Sequence, residues 1–476
     1  MNENSNGGNP LERLSAIHEA LIKVTQAWAL RRKFDLGHAI SLRRQAVLAL
    51  HAYYLEHIPV YRRFAQEEGI AGLEDIEPIK RQLMFPDDLF KSYDQRWLDE
   101  GNFSRMNAWL SEIHSSRVDV DVQDIDTIDA WIERLGEAGL RLVYSSGTSG
   151  NFSFVPRDEV AWESFKTVST CTLAPLLISQ KLGTPWQRLL TRVGSSVLSP
   201  QSFARASRQI GAPDYDGVFL DFRQGHTGNQ TLGRELSRLF HRHTYLYEGD
   251  LSPTVLRLAR RGPKTEEDRR QITALQELVS IRKNENYNRV IDSLKQSTDA
   301  GQKCFIFGTT YQFLELCEVI AGRGEALRLK DGSILLFGGG WKSFTGQQIP
   351  RDELLSLMSS RLGVPRERIL EGYSMTEINA FTLRCEYGRF HIPPFIEPVL
   401  FNEELEPVEG NDLRAIFGFL DPFATAYPGF LISGDEIHYI EGDCPCGLTG
   451  AAVTEIGRAQ FREVKGCGGI MASLSA

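Results

Sequence analysis

The sequence predicts an α/β protein that contains a parallel sheet. Three observations predict this class: apolar runs short enough to be buried strands, helical patterns that alternate with them, and a change to short strands with Pro and Gly punctuation after Arg384. Because parallel strands need a crossover connection, the alternation favours βαβ units. The strand-like runs are residues 140–143, 188–191, 217–220, 303–307 and 333–337, and helical patterns follow the last two from Thr310 and over 353–362.

The chain begins with a helix-rich segment. Residues 11–30 and 40–64 carry apolar side chains at helical spacing and are expected to be amphipathic helices. The densest charge run, 257–282, has mixed sign and helical character, which predicts a solvated helical face. The expected organisation is a disordered tail (1–10), a helical lead-in (11–135), an α/β core (136–384), a β-rich subdomain (385–455), and a hinge remnant with a flexible tail (456–476).

Composition and charge exclude several classes of protein. The 476 residues carry 53 Lys and Arg against 62 Asp and Glu, a net charge of −9, which does not suit a nucleic-acid binder. No uninterrupted apolar run approaches the roughly 18 residues of a membrane span, and the polar start lacks the pattern of a secretory signal. Seven cysteines are an odd number and too sparse for a disulfide framework. These features predict a cytoplasmic protein.

A run rich in hydroxyl groups and glycine follows the strand-like run 140–143. It reads YSSGTSG from Tyr144 to Gly150. Glycine lets the backbone approach an anion, and hydroxyl and main-chain N–H groups donate to phosphate oxygens, so this run is a candidate phosphate loop. It lacks the Gly-Lys-Ser/Thr ending of an ordinary P-loop. The alternative interpretation of the run is a solvated turn. The candidate phosphate ligands are Ser145, Ser146, Gly147, Thr148, Ser149 and Gly150.

Three further motifs and a closing run come downstream. They read GGGWK (338–342), EGYSMTE (371–377), SGDE (433–436) and IGRAQFREVKGCGG (from Ile456). With YSSGTSG, this order resembles the adenylate-forming superfamily, in which acyl-CoA synthetases and related ligases activate a carboxylate with ATP. The resemblance implies an adenylate-forming large domain with parallel-sheet subdomains and a β-rich C-terminal subdomain, and ATP and Mg²⁺ as cofactors.

The resemblance also implies contacts for the base and the ribose. A triple glycine after a strand would let adenine lie against the backbone, and the aromatic ring of EGYSMTE would stack on it. The carboxylate of SGDE would accept hydrogen bonds from both ribose hydroxyls. The alternatives are a strand-to-helix turn at the glycines and an ordinary turn at the Gly-Asp pair. The candidate nucleotide-binding residues are Gly338, Gly339, Gly340, Tyr373, Asp435 and Arg458.

Catalytic roles follow from the same resemblance. Thr376 would donate to the α-phosphate, and Glu377 is a hard carboxylate suited to Mg²⁺. The family's mobile C-terminal domain normally supplies a lysine, but only eighteen residues follow Arg458, so we expect that domain to be absent. Lys342, Arg458, the metal or a partner protein would then take over part of the lysine's role.

The N-terminal half narrows the resemblance. An HxPxYRR run from His57 to Arg63 is similar to phenylacetate-CoA ligases and to the acyl-protein synthetases of bacterial luminescence. FPDDLFKSYD (85–94) and residues 128–132 are similar to the acyl-protein synthetases. This branch implies a fatty or aryl carboxylic acid as substrate and an acyl-accepting reductase, another acceptor protein or coenzyme A as partner.

One cysteine near the end of the chain is the candidate acyl acceptor. The acyl-protein synthetases carry a thioester-forming cysteine in this region, and Cys467 matches it. Thiolate is the nucleophile, and nearby Lys465 and Arg462 would favour it. The alternative is an inert thiol packed among glycines.

One Cys/His pair and one Cys/Cys pair are candidate metal ligands. They lie in RCEYGRFH and DCPCGLTG and could form a Cys₃His tetrahedron, which is a structural zinc arrangement. Against zinc, Cys-x-Cys is tighter than the usual knuckle, and reduced thiols without a metal are the alternative. The candidate zinc ligands are Cys385, His391, Cys444 and Cys446.

Alternative functions remain open. The chain could be an aryl- or acyl-CoA ligase, or a pathway enzyme that activates an acid for amide formation. It could instead be a non-catalytic scaffold that binds a nucleotide or an acyl group, although retention of both Glu377 and Asp435 argues against this. A further segment, 308–310, is either part of an acyl-pocket wall or a helix N-cap.

Overall fold

The structure is a computed structural model that describes residues 10–145, 151–179, 185–341 and 347–459, with side chains from Leu14 onward. Helices and parallel strands alternate in the middle of the chain, which confirms the predicted α/β class. The helices are α1 (Pro10–Ala29), α2 (Leu36–His57), α3 (Pro59–Glu67), α4 (Glu77–Gln82), α5 (Gln95–Asp99), α6 (Phe103–Ile113), α7 (Ile128–Glu137), α8 (Glu159–Ser179), α9 (Pro185–Val197), α10 (Pro200–Ile210), α11 (Gly228–Ser237), α12 (Pro253–Arg261), α13 (Glu266–Gln276), α14 (Lys283–Asp299), α15 (Thr310–Gly322) and α16 (Arg351–Leu362).

The strands fall into three sheets. Two short 3₁₀ helices (Asp87–Lys91 and Arg366–Arg368) and a π-helical turn (Glu277–Ile281) complete the regular structure of the described residues. The strands are β1 (Phe85–Pro86), β2 (Leu140–Ser145), β3 (Ser153–Asp158), β4 (Tyr215–Gln224), β5 (His243–Asp250), β6 (Lys303–Thr309), β7 (Ile334–Gly338), β8 (Ile369–Tyr373), β9 (Thr382–Leu383), β10 (Phe390–His391), β11 (Glu397–Phe401), β12 (Pro407–Val408), β13 (Asp412–Leu420), β14 (Phe430–Asp443) and β15 (Thr449–Arg458).

The central sheet has the strand order β5-β4-β6-β7-β8-β9, and its strands are parallel except for β9. Helices cover both faces, so strand residues such as Ile306 and Leu335 are fully buried. Because parallel strands all end at one edge, the carboxyl ends of β7 and β8 lie side by side, with Gly338 opposite Gly372. Ligands bind at such an edge in open α/β sheets.

The second sheet has the order β10-β15-β14-β13-β11-β12, and β1 joins it parallel to β14. Its inner face packs against the N-terminal helices in the largest hydrophobic cluster. Three long-range hydrogen bonds fix this packing: His18 Nε2 lies 2.8 Å from the Pro422 carbonyl, the Trp28 indole donates to the Thr449 carbonyl over 2.9 Å, and Tyr54 donates to the Ala424 carbonyl.

A buried ion cluster ties the same two regions together. Arg43 of α2 pairs with Glu397 of β11, and Lys80 lies 2.7 Å from the other oxygen of that carboxylate. Burial alone would raise the pKa of Glu397, but Arg43 and Lys80 lower it. The carboxylate therefore stays ionised inside the protein and is held by two cations.

Two expectations about secondary structure are wrong. The helix expected over 40–64 is two helices, because Pro59 lacks an N–H and begins α3. Residues 188–191 are not a strand but lie inside α9. A short apolar run is compatible with either element, and the wider spacing of apolar residues from Trp186 to Val197 is helical.

Two other expectations about helices are met. Residues 11–30 form α1, and the charge run 257–282 forms α12, α13 and the π-helical turn, with no buried residue in α13. Arg257 is the exception in the charge run: it is buried and donates to Asp99 and Gln95. Among the described residues, no helix has the length and apolarity needed to cross a bilayer.

Candidate functional site

Strand β8 ends at Tyr373, and the chain then turns through the predicted catalytic residues Thr376 and Glu377. Two hydrogen bonds shape this turn: Ser374 Oγ donates to the Ala380 carbonyl over 2.9 Å, and Thr382 Oγ1 donates to the Tyr373 carbonyl over 3.1 Å. The turn therefore stands at the carboxyl edge of the central sheet, where Thr376 and Glu377 are half-buried.

Three predicted nucleotide-binding residues meet beside this turn. The Tyr373 hydroxyl donates to Oδ2 of Asp435 over 2.9 Å, and Arg458 Nη1 lies 3.5 Å from Oδ1 of the same carboxylate. Asp435 and Arg458 are direct partners across β14 and β15. Burial and the Asp435 carboxylate raise the pKa of Tyr373, so its phenol keeps its proton and donates.

The glycines after β7 leave the neighbouring surface without side chains. A Cβ on Gly338 would lie 2.6 Å from the Gly372 carbonyl oxygen, so the strand contact itself requires glycine. Gly339 and Gly340 have φ angles of 78° and 59°, which side chains disfavour. A Cβ on Gly340 would have no atom within 4 Å, so the backbone is open here, and the adenine contact stays a prediction.

Ser145 is the last residue of β2, which pairs with β3 in an antiparallel hairpin. The other predicted phosphate ligands, 146–150, lie outside the described residues. Lys342 and Cys467 lie outside them as well. The hairpin nevertheless fixes both ends of the candidate phosphate loop, because Ser145 is directly opposite Ser153.

The sequence did not single out a buried network that connects this hairpin to the Thr376 turn. Arg157 of β3 donates to the Thr376 carbonyl over 2.9 Å and to the side chain of Asn379. Asn379 in turn donates through its backbone and side chain to Asp421. The Arg157 guanidinium also lies over the ring of Tyr427, at 5.1 Å, and the Tyr427 hydroxyl donates to the Glu377 carbonyl.

A loop between β4 and α11 closes another side of the turn. The His226 carbonyl accepts a hydrogen bond from the Tyr144 backbone at 2.8 Å, and a Cβ on Gly228 would lie 3.0 Å from Thr376 Oγ1. Burial lowers the pKa of His226. Beneath the loop, Asp221 accepts hydrogen bonds from the Phe222 backbone and from Gln230, and burial raises its pKa to about 6.

The structure decides one open alternative and adds one residue that the sequence did not single out. Thr309 is the N-cap of α15 and forms a capping box with Gln312, as the N-cap alternative for 308–310 predicted. Asp87, within the FPDDLFKSYD run, lies close enough to Asp435 and Arg458 for both to affect its pKa, which burial raises. Pairing of β1 with β14 brings Asp87 there, a contact that no local pattern signals.

The four predicted zinc ligands form one buried cluster on the far side of β15. Their ligand atoms lie within 4.8 Å of one another. The sulfurs of Cys385 and Cys444 are 3.9 Å apart, and Cys446 Sγ is 3.3 Å from His391 Nε2. Hydrogen bonding between Cys385 and Cys446 lowers the pKa of the first thiol and raises that of the second.

Two turns with the same hydrogen bonds present these cysteines. The Cys385 backbone donates to the Arg389 carbonyl and Gly388 donates back to Cys385, and the same pattern joins Cys444 to Leu448 and Gly447. A zinc ion with Zn–S bonds of about 2.3 Å would hold two sulfurs about 3.8 Å apart, close to the separation of Cys385 and Cys444. The donor set therefore fits a tetrahedral zinc ion.

Comparison with known proteins shows similarity to the acyl-protein synthetases, which the motifs also resemble. The family model described as "Acyl-protein synthetase, LuxE" matches residues 280–474. The long-chain-fatty-acid–luciferin-component ligase of Aliivibrio fischeri is 23% identical over 191 residues, covering 40% of this chain and 50% of that protein. The Vibrio harveyi ligase of the same name is 23% identical over 186 residues, covering 38% and 48%. The chain thus spans about half the length of the curated relatives it matches, and the expected resemblance to acyl-protein synthetases is confirmed.

The chain also aligns with several solved structures. A 2-hydroxyisobutyryl-CoA ligase in complex with 2-HIB-AMP and CoA aligns with a TM-score of 0.49 at 13% identity, covering 88% of this chain and 70% of that one. ATP-bound MatB from Rhodopseudomonas palustris aligns with a TM-score of 0.35 at 12% identity, covering 67% and 48%.

Proposed function

We propose that this protein uses ATP to activate a fatty or aryl carboxylic acid and then transfers the acyl group to a thiol. In the first step a carboxylate oxygen forms a bond to the α-phosphorus while the bond from that phosphorus to the bridging oxygen breaks and pyrophosphate leaves. In the second step a thiolate sulfur forms a bond to the acyl carbon, the mixed anhydride opens and AMP leaves.

The observation that best supports this proposal is the contact among Tyr373, Asp435 and Arg458 beside the Thr376 turn. These residues come from segments about sixty and twenty residues apart, they were assigned to ATP by motif order alone, and they form one polar surface. Asp435 would hold the ribose, Thr376 the α-phosphate, and Glu377 a Mg²⁺ ion. When bound, Mg²⁺ would neutralise charge on the phosphate oxygens.

The network around Arg157 supports the same proposal. A buried guanidinium that binds the Thr376 carbonyl holds the turn in one position before ATP arrives. Preorganised donors of this kind stabilise developing charge without reorganisation. The curated relatives are named as fatty-acid ligases, which favours a long-chain acid, with Cys467, coenzyme A or a partner reductase as the acceptor.

We also propose that Cys385, His391, Cys444 and Cys446 bind a structural Zn²⁺ ion. All four side chains are buried, so an open catalytic position is not expected. Protein produced in zinc-supplemented medium should contain one zinc per chain by mass spectrometry of the metal. The control Cys317→Ala, which changes a buried thiol elsewhere, should keep the zinc, whereas Cys446→Ser should lose most of it. Wild-type protein without zinc would contradict the proposal.

The decisive experiment for the enzyme activity is carboxylate-dependent exchange of labelled pyrophosphate into ATP with a panel of fatty and aryl acids. Intact-mass measurement then follows the acyl group. Exchange with a mass gain that Cys467→Ala abolishes identifies self-acylation. Exchange without that gain assigns the acceptor to coenzyme A or a partner, and no exchange with any acid contradicts the proposal.

A further inference from the structure

Helix α9 presents its apolar side to solvent. A helix turns by about 100° per residue, and its five large apolar side chains fall within a single arc about 100° wide. Ser195, on the opposite side, is the buried residue of this helix. The exposed side chains, called here the α9 stripe, are Trp186 (70% exposed), Leu189 (50%), Leu190 (46%), Val193 (52%) and Val197 (75%).

This orientation is the reverse of that of a helix packed on a core, whose apolar stripe faces inward. Contacts on both sides of the stripe hold α9 in this orientation. Arg32, just after α1, donates to Ser196 Oγ over 2.6 Å and to the Arg192 carbonyl over 2.8 Å, and Gly194 lies against the Phe203 ring. A contiguous exposed patch of this kind marks a binding surface rather than scattered apolar residues.

The stretch of sequence that contains α9 carries a charge opposite to that of the whole chain. Between Glu163 and Asp214 the sequence contains no Asp or Glu, although the chain carries a net charge of −9. Glu163 itself pairs with Lys166 and Arg208. The basic residues within this stretch are Lys166, Lys181, Arg188, Arg192, Arg205 and Arg208.

We propose that α9 binds the surface of an anionic lipid bilayer. The α9 stripe would enter the boundary between headgroups and acyl chains, and Arg192 on its flank would meet lipid phosphates. Thirteen residues of helix are about 20 Å long, which suits a helix lying in the interface and is too short to span the bilayer. An apolar partner surface would cover the stripe but would not account for the acid-free, basic surroundings, so the charge favours lipid.

The lipid-binding proposal is independent of the proposed enzyme activity, because its test needs neither ATP nor an acid. The full chain is floated with vesicles of phosphatidylcholine alone and with vesicles containing one third phosphatidylglycerol. We expect binding to the anionic vesicles, little binding to the neutral ones, and loss of binding at high salt.

Two variants and a matched control test the surface. Leu189→Glu with Val193→Glu should lower the bound fraction at least tenfold, and Arg192→Gln should weaken binding about fivefold, as expected for one basic residue near such a surface. Ile281→Glu replaces a side chain that is 77% exposed elsewhere and should leave binding unchanged. Circular dichroism checks that each variant is folded.

Failure of the wild-type chain to float with anionic vesicles would overturn the proposal. So would equal binding by the double variant. Concentration-dependent self-association that the double variant abolishes, without vesicle binding, would assign the α9 stripe to a second copy of this chain instead.

Discussion

The Tyr373 hydroxyl donates a hydrogen bond to Asp435 over 2.9 Å, joining the end of the parallel sheet to the antiparallel sheet. The motif order assigned one residue to adenine and the other to ribose, but not their direct contact. Since the phenol binds Oδ2 and Arg458 lies beside Oδ1, the carboxylate is held in one orientation. We therefore propose that Tyr373 orients Asp435, in addition to its expected contact with the base.

Replacement of Tyr373 by Phe is the first test of this relationship. The ring remains but the hydrogen bond to a charged acceptor is lost, so we expect the Kd for ATP to rise about tenfold, equivalent to ~1.4 kcal/mol. Equilibrium binding of ATP by calorimetry measures the change. Tyr387→Phe, which removes a hydroxyl from an exposed ring, is the control. Unchanged ATP binding by Tyr373→Phe would show that the hydrogen bond from Tyr373 to Asp435 does not contribute to nucleotide binding.

Arg157→Lys tests the network that holds the Thr376 turn. Lysine keeps the charge but cannot donate to Thr376 and Asn379 with the geometry of guanidinium. We expect pyrophosphate exchange to slow by about 10–100-fold, the equivalent of about 1.4–2.7 kcal/mol.

Arg141→Lys is the matched control for that variant, because Arg141 lies directly opposite Arg157 in the hairpin but is half-exposed. It should exchange at the wild-type rate. If both variants slowed equally, or if Arg157→Lys lost activity only because it unfolded, the positioning role would be rejected.

Asp221→Asn should change how stability depends on pH. Burial raises the pKa of Asp221 to about 6 from an ordinary value of 3.8, so the folded state holds a proton that the unfolded state releases. Below about pH 4 Asp221 is neutral in both the folded and the unfolded state, and its burial carries no electrostatic penalty. As the pH rises through 6, the unfolded state gains from ionising this group, so the free energy of unfolding falls. We expect the free energy of unfolding of the wild type, relative to Asp221→Asn, to fall by about 3 kcal/mol between pH 4 and pH 7. Urea unfolding of both proteins across this range measures it, and parallel curves would contradict the pKa shift.

Removal of zinc should loosen the region around the Cys/His cluster. Trp28 packs edge-on against His391 at 6.4 Å, and the thiols belong to a small hydrophobic cluster with Leu448. We expect chelation to lower the Tm by several degrees, since structural zinc contributes directly to folding. Added Zn²⁺ should restore the Tm. A chelator that leaves the Tm of zinc-loaded protein unchanged would argue against a structural role.

The sequence predicted those parts of the site that lie within continuous motifs. Motif order proposed Tyr373, Asp435 and Arg458 for one site because each stands in a recognisable run, and the fold brings their side chains together. The zinc candidates were proposed from the short spacing of their Cys and His residues, and the fold brings these side chains together as well. Arg157 was missed because its partners are more than two hundred residues away, and an arginine in a strand carries no local signal. Residues 188–191 were misassigned for a related reason: their apolar pattern faces solvent in α9, so periodicity alone did not show what they contact.

The packing of the N-terminal helices on the second sheet also sets the timing of folding during synthesis. Trp28 and its acceptor Thr449 are separated by 421 residues along the chain. At a translation rate of about 5–20 residues per second, a ribosome needs about 20–80 s to synthesise those residues. Throughout that time the apolar faces of α1 and α2 have no sheet to cover them. The first helices therefore complete their packing only after the last strands leave the ribosome.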